Sequence, residues 1–344
     1  MNKLSEEGMP KAKTSQGLGL LHQLVKSQKM KKYNGKLILF GEYSMIFGSE
    51  ALLIPYYSAF GEWSSVINRP SERGFESNAS IRKFYNYLHD NDEFRILDLR
   101  RFDMELNAGL FFDSTIPLGY GVGSSGALVA AIFDRYKLIE INEIPKLKSF
   151  LAKMESFFHG SSSGMDPLQC YIGKPFITSR DVSPVASKKV SPVASKSYQQ
   201  SLSILNDDFI SDNIHIFLID TKIKSPTAPL VEKFKELRKD SAYLEKFDNV
   251  YIPTVSKCIN SLIDKNNDDF YKHLSQLSKL QLELLTHTIP EETRNFFLTN
   301  INEDGFQVKL CGAGGGGFLL GFSNNIQKTN NFWKENNKHI IWVK

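Results

Sequence analysis

Cysteine is scarce in this chain. Only Cys170, Cys258 and Cys311 occur in 344 residues, far apart and with no Cys-x-x-Cys pair. That spacing argues against a zinc site or a disulfide framework and fits a reducing, cytoplasmic setting. Long apolar runs are missing as well. No stretch of 18 apolar residues exists, so no membrane span is expected, and no long apolar segment near the start marks a signal peptide. Charge of one sign is also lacking. Lys and Arg number 42 against 38 Asp and Glu, a net of +4, and no basic run is interleaved with aromatic residues. Nucleic acid is therefore not an expected partner, while the small positive excess suits an anionic small molecule. What remains is 41% hydrophobic and 23% charged, the balance of a soluble globular protein. The length exceeds one ordinary core, so two domains are expected.

Glycine is concentrated rather than abundant. Pro117-Leu118-Gly119-Tyr120-Gly121-Val122-Gly123-Ser124-Ser125-Gly126-Ala127 alternates three glycines, adds two serines and runs into the apolar stretch 127–133. This pattern predicts a tight turn opening a helix. The first N–H groups of a helix have no internal partners, and the helix dipole favours negative charge there, so the site suits an anion such as a phosphate. It is not a Walker A loop, which would end in Gly-Lys-Ser/Thr, and it lacks the third glycine of a dinucleotide fingerprint, where Ser124 stands. A glycine-rich turn capping a buried helix remains the plain alternative.

The organisation changes along the chain. Residues 1–30 are rich in Lys, Ser, Gly and Gln and read as a poorly ordered leader, with Met30 a candidate initiator. Strands are expected at 36–40, 52–57 and 64–67, and a helix at 80–88. A strand pair follows at 95–99 and 103–106, and 109–112 leads into the glycine loop. Helices are expected at about 125–138 and 145–158, and a short one over 168–172. Residues 182–189 and 190–197 are a tandem duplication, VSPVASKK then VSPVASKS, which reads as a surface loop that tolerates insertion. Beyond it come a strand at 214–219, helices at 229–237, 241–264 and 267–286, and strands at 308–311 and 318–322. Strands and helices do not alternate regularly, which favours α+β over a doubly wound sheet.

Two further segments carry chemistry. Gly312-Ala313-Gly314-Gly315-Gly316-Gly317 holds five glycines in six positions between two apolar strands. Ordering so many glycines is costly, which suggests that the backbone passes close to a ligand, although a flexible hairpin stays open. Glu155 ends one predicted helix and Asp166 follows eleven residues later, across the loop His159-Gly160-Ser161-Ser162-Ser163-Gly164-Met165. The loop can fold back and bring both carboxylates to one site. One could hold Mg²⁺ with phosphate oxygens and the other take a proton from a hydroxyl. Alternatively Asp166, just before Pro167, caps a helix.

Together these segments resemble the galactokinase–homoserine kinase–mevalonate kinase–phosphomevalonate kinase superfamily, the GHMP kinases. Motif one is Gly35 to Gly48, GKLILFGEYSMIFG; motif two is Pro117 to Ala127; motif three is Lys309 to Gly317, KLCGAGGGG. They stand in the family order over about 36 to 317. Within the superfamily, His159 to Asp166 is most similar to the mevalonate kinase segment HGxPSGxD, and Asp220 to Thr227 to that family's strand-then-threonine segment. The sequence departs from the pattern at Asn34 for Pro, Tyr43 for His, Gly126 for Ala and Ser162 for Pro. Gly-Glu-Tyr is also seen in phosphomevalonate kinases.

The resemblance implies a fold of two α+β domains: a ribosomal protein S5 domain 2-like, ATP-binding domain over 31–200 and a ferredoxin-like domain over 201–344. It implies ATP and Mg²⁺ as cofactors. Pro117, Gly119, Gly121, Gly123, Ser124, Ser125 and Gly126 are expected to cradle the ATP phosphates. Ser125 and Glu155 are expected to hold the metal, and Asp166 to accept the proton of a primary alcohol. Lys36 would stand near Asp166 and keep it ionised. Glu42, His159, Thr227, Gly314 and Gly315 are expected at the substrate or phosphate site, with His159 otherwise a structural histidine. The activity implied is phosphorylation of mevalonate to 5-phosphomevalonate in isoprenoid precursor synthesis. Phosphomevalonate and sugar kinases are the nearest rivals, and a non-catalytic ATP or metabolite sensor is the rival of another class. A homodimer stays open.

Overall fold

The computed structural model describes residues 31–67, 70–180, 200–225, 227–299 and 301–343. The expected leader and the duplicated loop 182–197 lie outside them. In chain order the strands are β1 (Tyr33–Phe40), β2 (Ala51–Ser65), β3 (Leu110–Ser114), β4 (Phe176–Arg180), β5 (Gln200–Ile204), β6 (His215–Asp220), β7 (Phe306–Leu310), β8 (Phe318–Ser323) and β9 (Ile340–Trp342). The helices are α1 (Glu72–His89), α2 (Leu99–Asn107), α3 (Ser124–Tyr136), α4 (Ile144–His159), α5 (Met165–Ile172), α6 (Thr227–Leu237), α7 (Ser241–Lys246), α8 (Ile252–Ile263), α9 (Asn267–Leu284), α10 (Ile301–Asp304) and α11 (Ile326–Glu335). Internal contacts divide the described chain into a smaller unit, 62–113, and a larger one, 33–61 with 114–343.

The smaller unit is built on two helices. Ser71 caps α1 by accepting the Gly74 N–H at 3.0 Å. Asn78, on α1, donates to the carbonyls of Leu106 and Leu110, fixing the end of α2 and the start of β3. Phe84, Phe102 and Leu106 fill the space between the helices. The expected strand pair at 95–106 is corrected here: residues 99–107 are helical. Asp98 accepts the Arg101 N–H at 2.9 Å as an N-cap, Arg101 pairs with Glu105 one turn on, and the buried Phe102, Glu105 and Leu106 share one helical face.

In the larger unit β1 runs antiparallel to β2, β2 to β4, and β4 to β5. The two expected strands at 52–57 and 64–67 are one long strand, β2. Pro55, Ser58 and Gly61 interrupt its apolar pattern, yet β1 on one side and β4 on the other hold it extended. Helix α3 is buried along most of its length and packs on β1, α4 and α5. The second sheet has the antiparallel order β9-β6-β8-β7. Its chain order is strand, helices, strand, strand, helix, strand, the split βαβ arrangement of a ferredoxin-like domain. Helix α9 covers it, with Ser278 bonded to the Val308 carbonyl at 2.5 Å and Gln281 accepting the Leu310 N–H at 2.9 Å. On the other helical side Trp333 of α11 packs with Phe217 and Phe306. The helix expected over 241–264 is interrupted by a wide π turn, Phe247–Tyr251. Pro253 follows at once; it has no N–H and its ring collides with the carbonyl four residues back, and the wide turn makes room for it.

Candidate active site

All the residues singled out in the sequence for chemistry lie in the larger unit. Lys36 is on β1, which is buried on both faces from Gly35 to Phe40; its side chain is 3% exposed. Its Nζ stands 3.0 Å from Asp166 Oδ1. Burial alone would pull the Lys36 ammonium down, but the Asp166 carboxylate outweighs it and holds the group above the ordinary lysine value. Asp166 is not a helix cap. Gly164, with φ 73°, takes that position, and Asp166 lies in the first turn of α5, where the helix dipole favours a carboxylate.

The first glycine loop delivers α3 to the same place. Gly123 has φ 82° and serves as the N-cap of α3, so the helix begins at Ser124. Any side chain there would be strained, and a Cβ would stand 2.8 Å from Lys36 Cγ. The Lys36 N–H donates to the Val122 carbonyl at 2.9 Å, which fastens the loop to β1. Gly126 lets α3 and α5 touch: a Cβ there would stand 2.8 Å from the Asp166 carbonyl carbon and 3.1 Å from its Cβ. Gly119 and Gly121 are exposed at the loop, while Pro117 and Ser124 are half-buried.

Ser125 Oγ donates to Glu155 Oε1 at 2.9 Å and lies 3.0 Å from His159 Nε2. Leu147, Leu151, Met154 and Glu155 form the buried face of α4, so helical spacing carries this carboxylate inward with the apolar residues. Burial, with the nearby Asp166 charge, pushes the Glu155 carboxyl up to about 7, against the hydrogen bonds from Ser162 and Ser125. The structure thus brings Lys36, Asp166, Ser125, Glu155 and His159 together.

The second glycine loop meets the first. A Cβ on Gly317 would stand 2.8 Å from the Tyr120 carbonyl oxygen, and one on Gly312 3.7 Å from that of Gly121. Gly315 N–H donates to the Thr288 carbonyl at 2.6 Å. Gly314, at φ 72°, packs so tightly that a Cβ would meet Thr288 Cβ at 3.0 Å. The strap 220–225 ties both loops. Thr221 Oγ1 donates to the Gly317 carbonyl at 2.7 Å, Ser225 Oγ to the Gly314 carbonyl, and Ser225 N–H to the Gly119 carbonyl at 3.1 Å. Tyr120 Oη reaches Asp220 at 3.2 Å. Sequence reasoning passed over Thr221 and Ser225; the signal available was their place directly after an apolar strand. Thr227 itself opens α6, exposed.

Glu42 is placed differently from a ligand contact. Its carboxylate is fully buried and paired with Lys309 Nζ, which is equally buried and also donates to the Leu310 carbonyl at 2.6 Å. Burial pushes the Glu42 carboxyl up in spite of Lys309. Beside it Tyr43 has φ 62°, a costly backbone for a bulky residue. It is held by a 2.7 Å bond from its Oη to the Ala313 carbonyl and by the Phe234 ring at 4.7 Å. Glu42 and Tyr43 therefore shape the second loop from behind.

Chemically, the site offers a carboxylate held beside a buried cation, a helix N-terminus with a hydroxyl, and a second, desolvated carboxyl group. Hard oxygen donors and a single buried carboxyl at Ser125–Glu155 fit Mg²⁺, which keeps waters and shares phosphate oxygens rather than needing an all-protein cage. Among the described residues no cluster of three or more His, Cys, Asp or Glu could hold a metal alone.

A family model described as "GHMP kinases N terminal domain" matches residues 81–174. A mevalonate kinase of Archaeoglobus fulgidus is 24% identical over 314 residues, 90% of this chain and 97% of that protein. Among solved structures, L. major mevalonate kinase in complex with R-mevalonate superposes with a TM-score of 0.62 at 17% identity, covering 92% of this chain and 96% of that one. Streptococcus pneumoniae phosphomevalonate kinase in complex with phosphomevalonate and AMPPNP gives 0.57 at 16% identity, over 92% and 100%. The two-domain α+β fold expected from the sequence is the fold these structures share.

Proposed function

We propose that this chain, which belongs to the GHMP kinase superfamily and is an ATP-dependent small-molecule kinase, phosphorylates the primary hydroxyl of mevalonate. The observation that carries the reading is the Lys36–Asp166 pair standing beside Ser125 and Glu155 at the N-terminus of α3. In this reading the first glycine loop and the start of α3 bind the ATP phosphates through backbone N–H groups. Ser125 and Glu155 would hold Mg²⁺, which would offset the negative charge of the ATP phosphates. Asp166 accepts the alcohol proton as the new O–P bond forms and ADP leaves with the electrons of the broken bond. Lys36 holds the Asp166 carboxylate in place at 3.0 Å and offsets charge on the transferring group. The second loop, around Gly314 and Gly315, shapes the acceptor pocket, with the strap 220–225 behind it. On the same reading residues 31–200 form the ATP-binding domain and 201–344 the second domain.

The relative named as a mevalonate kinase, aligned over nine-tenths of the chain, supports this acceptor. Tyr43 in place of the usual His supports a second reading, phosphomevalonate kinase. An ADP-release assay over mevalonate, phosphomevalonate, galactose and homoserine decides between them. Turnover with mevalonate is expected; ADP formed only with phosphomevalonate would overturn the substrate assignment, and ADP with none of the four would favour a sensor.

A further inference from the structure

Ser125 and Glu155 are held from both outer ends. On one side His159 Nε2 lies 3.0 Å from Ser125 Oγ. On the other, Ser162 Oγ donates to Glu155 Oε2 and itself accepts the Gly164 N–H at 2.9 Å. The result is one continuous chain: His159, Ser125, Glu155, Ser162, Gly164. His159 reaches Ser125 because it stands one helical turn beyond Glu155 on α4, on the same face. Ser162 occupies the position where the mevalonate kinase segment has Pro, and a proline ring has no hydroxyl to give.

Proton counting assigns the two ends different tasks. A serine hydroxyl carries one hydrogen, and an ionised carboxylate carries none. Without a cation between them, Ser125 gives its hydrogen to Glu155 Oε1. A cation held by Ser125 and Glu155 would occupy the Glu155 lone pair that accepts this hydrogen, so the hydrogen would turn elsewhere. His159 Nε2 is the acceptor within reach, and it accepts when the ring proton sits on Nδ1. Glu155 Oε2 meanwhile stays pinned by Ser162, so the carboxylate cannot swing away as Oε1 changes partner. We infer that His159 and Ser162 are positioning residues: His159 receives the Ser125 hydroxyl hydrogen and Ser162 fixes the outer oxygen of Glu155, keeping the pair ready for a divalent cation. This rests on the reading of Ser125 and Glu155 as metal-binding residues.

The test measures cation binding directly, with Mn²⁺ and AMPPNP as probes on the full chain. Loss of the free Mn²⁺ paramagnetic resonance signal reports cation binding, and titration calorimetry in EDTA reports metal-free nucleotide binding. His159→Phe and Ser162→Ala are each expected to weaken Mn²⁺ binding in the nucleotide complex by about tenfold or more, the usual effect of removing an outer partner of a metal ligand. Metal-free nucleotide affinity should stay within about twofold of wild type, because the two side chains bond to Ser125 and Glu155 and not to the backbone N–H groups of the first glycine loop. His159→Gln, which restores an acceptor at the same reach, and Ser162→Thr, which restores the hydroxyl, should recover most of the loss. Wild-type Mn²⁺ affinity in His159→Phe and Ser162→Ala overturns the inference and leaves the metal assignment standing. Equal losses with and without Mn²⁺, unrescued by Gln or Thr, make the chain merely structural and also overturn it. No Mn²⁺-dependent gain in the wild type removes Ser125 and Glu155 as metal ligands, and the inference falls with them.

Discussion

Asp166 and Glu155 are neighbours whose surroundings push them toward different work. Asp166 is about one-third exposed and paired with Lys36, whereas Glu155 is buried among apolar residues and hydroxyls. Asp166→Asn removes the proton acceptor and should lower kcat by about 10²–10⁴-fold while ATP affinity is largely kept. Unchanged turnover would take Asp166 out of the chemistry. Glu155, raised from 4.5 to about 7, gives the opposite kind of signal. A carboxyl group with a raised folded value favours folding fully below the unfolded value, and loses that contribution as pH rises through about 7. Metal-free Glu155→Gln should therefore gain stability over wild type at pH 8, on the order of 2–3 kcal/mol, with the advantage shrinking toward pH 4.5. Urea melts at a series of pH values check this, and a pH-independent difference would show that Glu155 is not desolvated in solution.

Between elements, α3 and α5 cross in close contact at Gly126. An added methyl would stand 2.8 Å from the Asp166 carbonyl carbon and 2.9 Å from Pro167 N, and backbone atoms cannot rotate aside. Ala is worth about 1 kcal/mol over Gly in a helix, but overpacking costs about 1–3 kcal/mol, so the clash wins. Gly126→Ala should lose about 1 kcal/mol in urea unfolding and roughly tenfold in kcat, since Asp166 moves with α5. A variant both more stable and fully active would mean the crossing has slack. Elements were legible where one periodicity ran unbroken: β1, α3, α4, β6 and α9 all fall close to their sequence ranges. They were misread where the pattern was interrupted or short. Residues 95–106 offer apolar residues that suit either a strand or a helix, and only the Asp98 cap and packing on α1 select the helix. Strands β4 and β5 and helix α11 lack a strong pattern of their own, and depend on partners far along the chain.

Across the larger unit, the two sheets are joined where β1 ends. Phe40 stacks on Phe322 of β8 at 5.5 Å and meets Phe270 of α9 edge-on at 6.1 Å. Two residues later Glu42 pairs with Lys309 of β7. Removing one partner of a buried ion pair leaves the other charge without compensation. Lys309→Met should therefore cost about 3–5 kcal/mol, and the double change Glu42→Met with Lys309→Met should recover most of it. A double variant as unstable as the single one would show that the pair itself, and not the orphaned charge, holds the sheets. By itself, the sequence determined what is local. Glycine spacing dictates where the backbone can turn and come close, and helical spacing sets Glu155 on the buried face of α4. Only the tertiary structure decided what depends on distant partners. It made Glu42 the buried counter-ion of Lys309, where the sequence points to a substrate or phosphate contact, put Ser225 rather than Thr227 on the second glycine loop, and joined Ser125 to both Glu155 and His159. Backbone preference acts over a few residues, whereas a side chain's neighbour, and hence its charge and hydrogen bonds, is set by whichever segment the packed core brings against it.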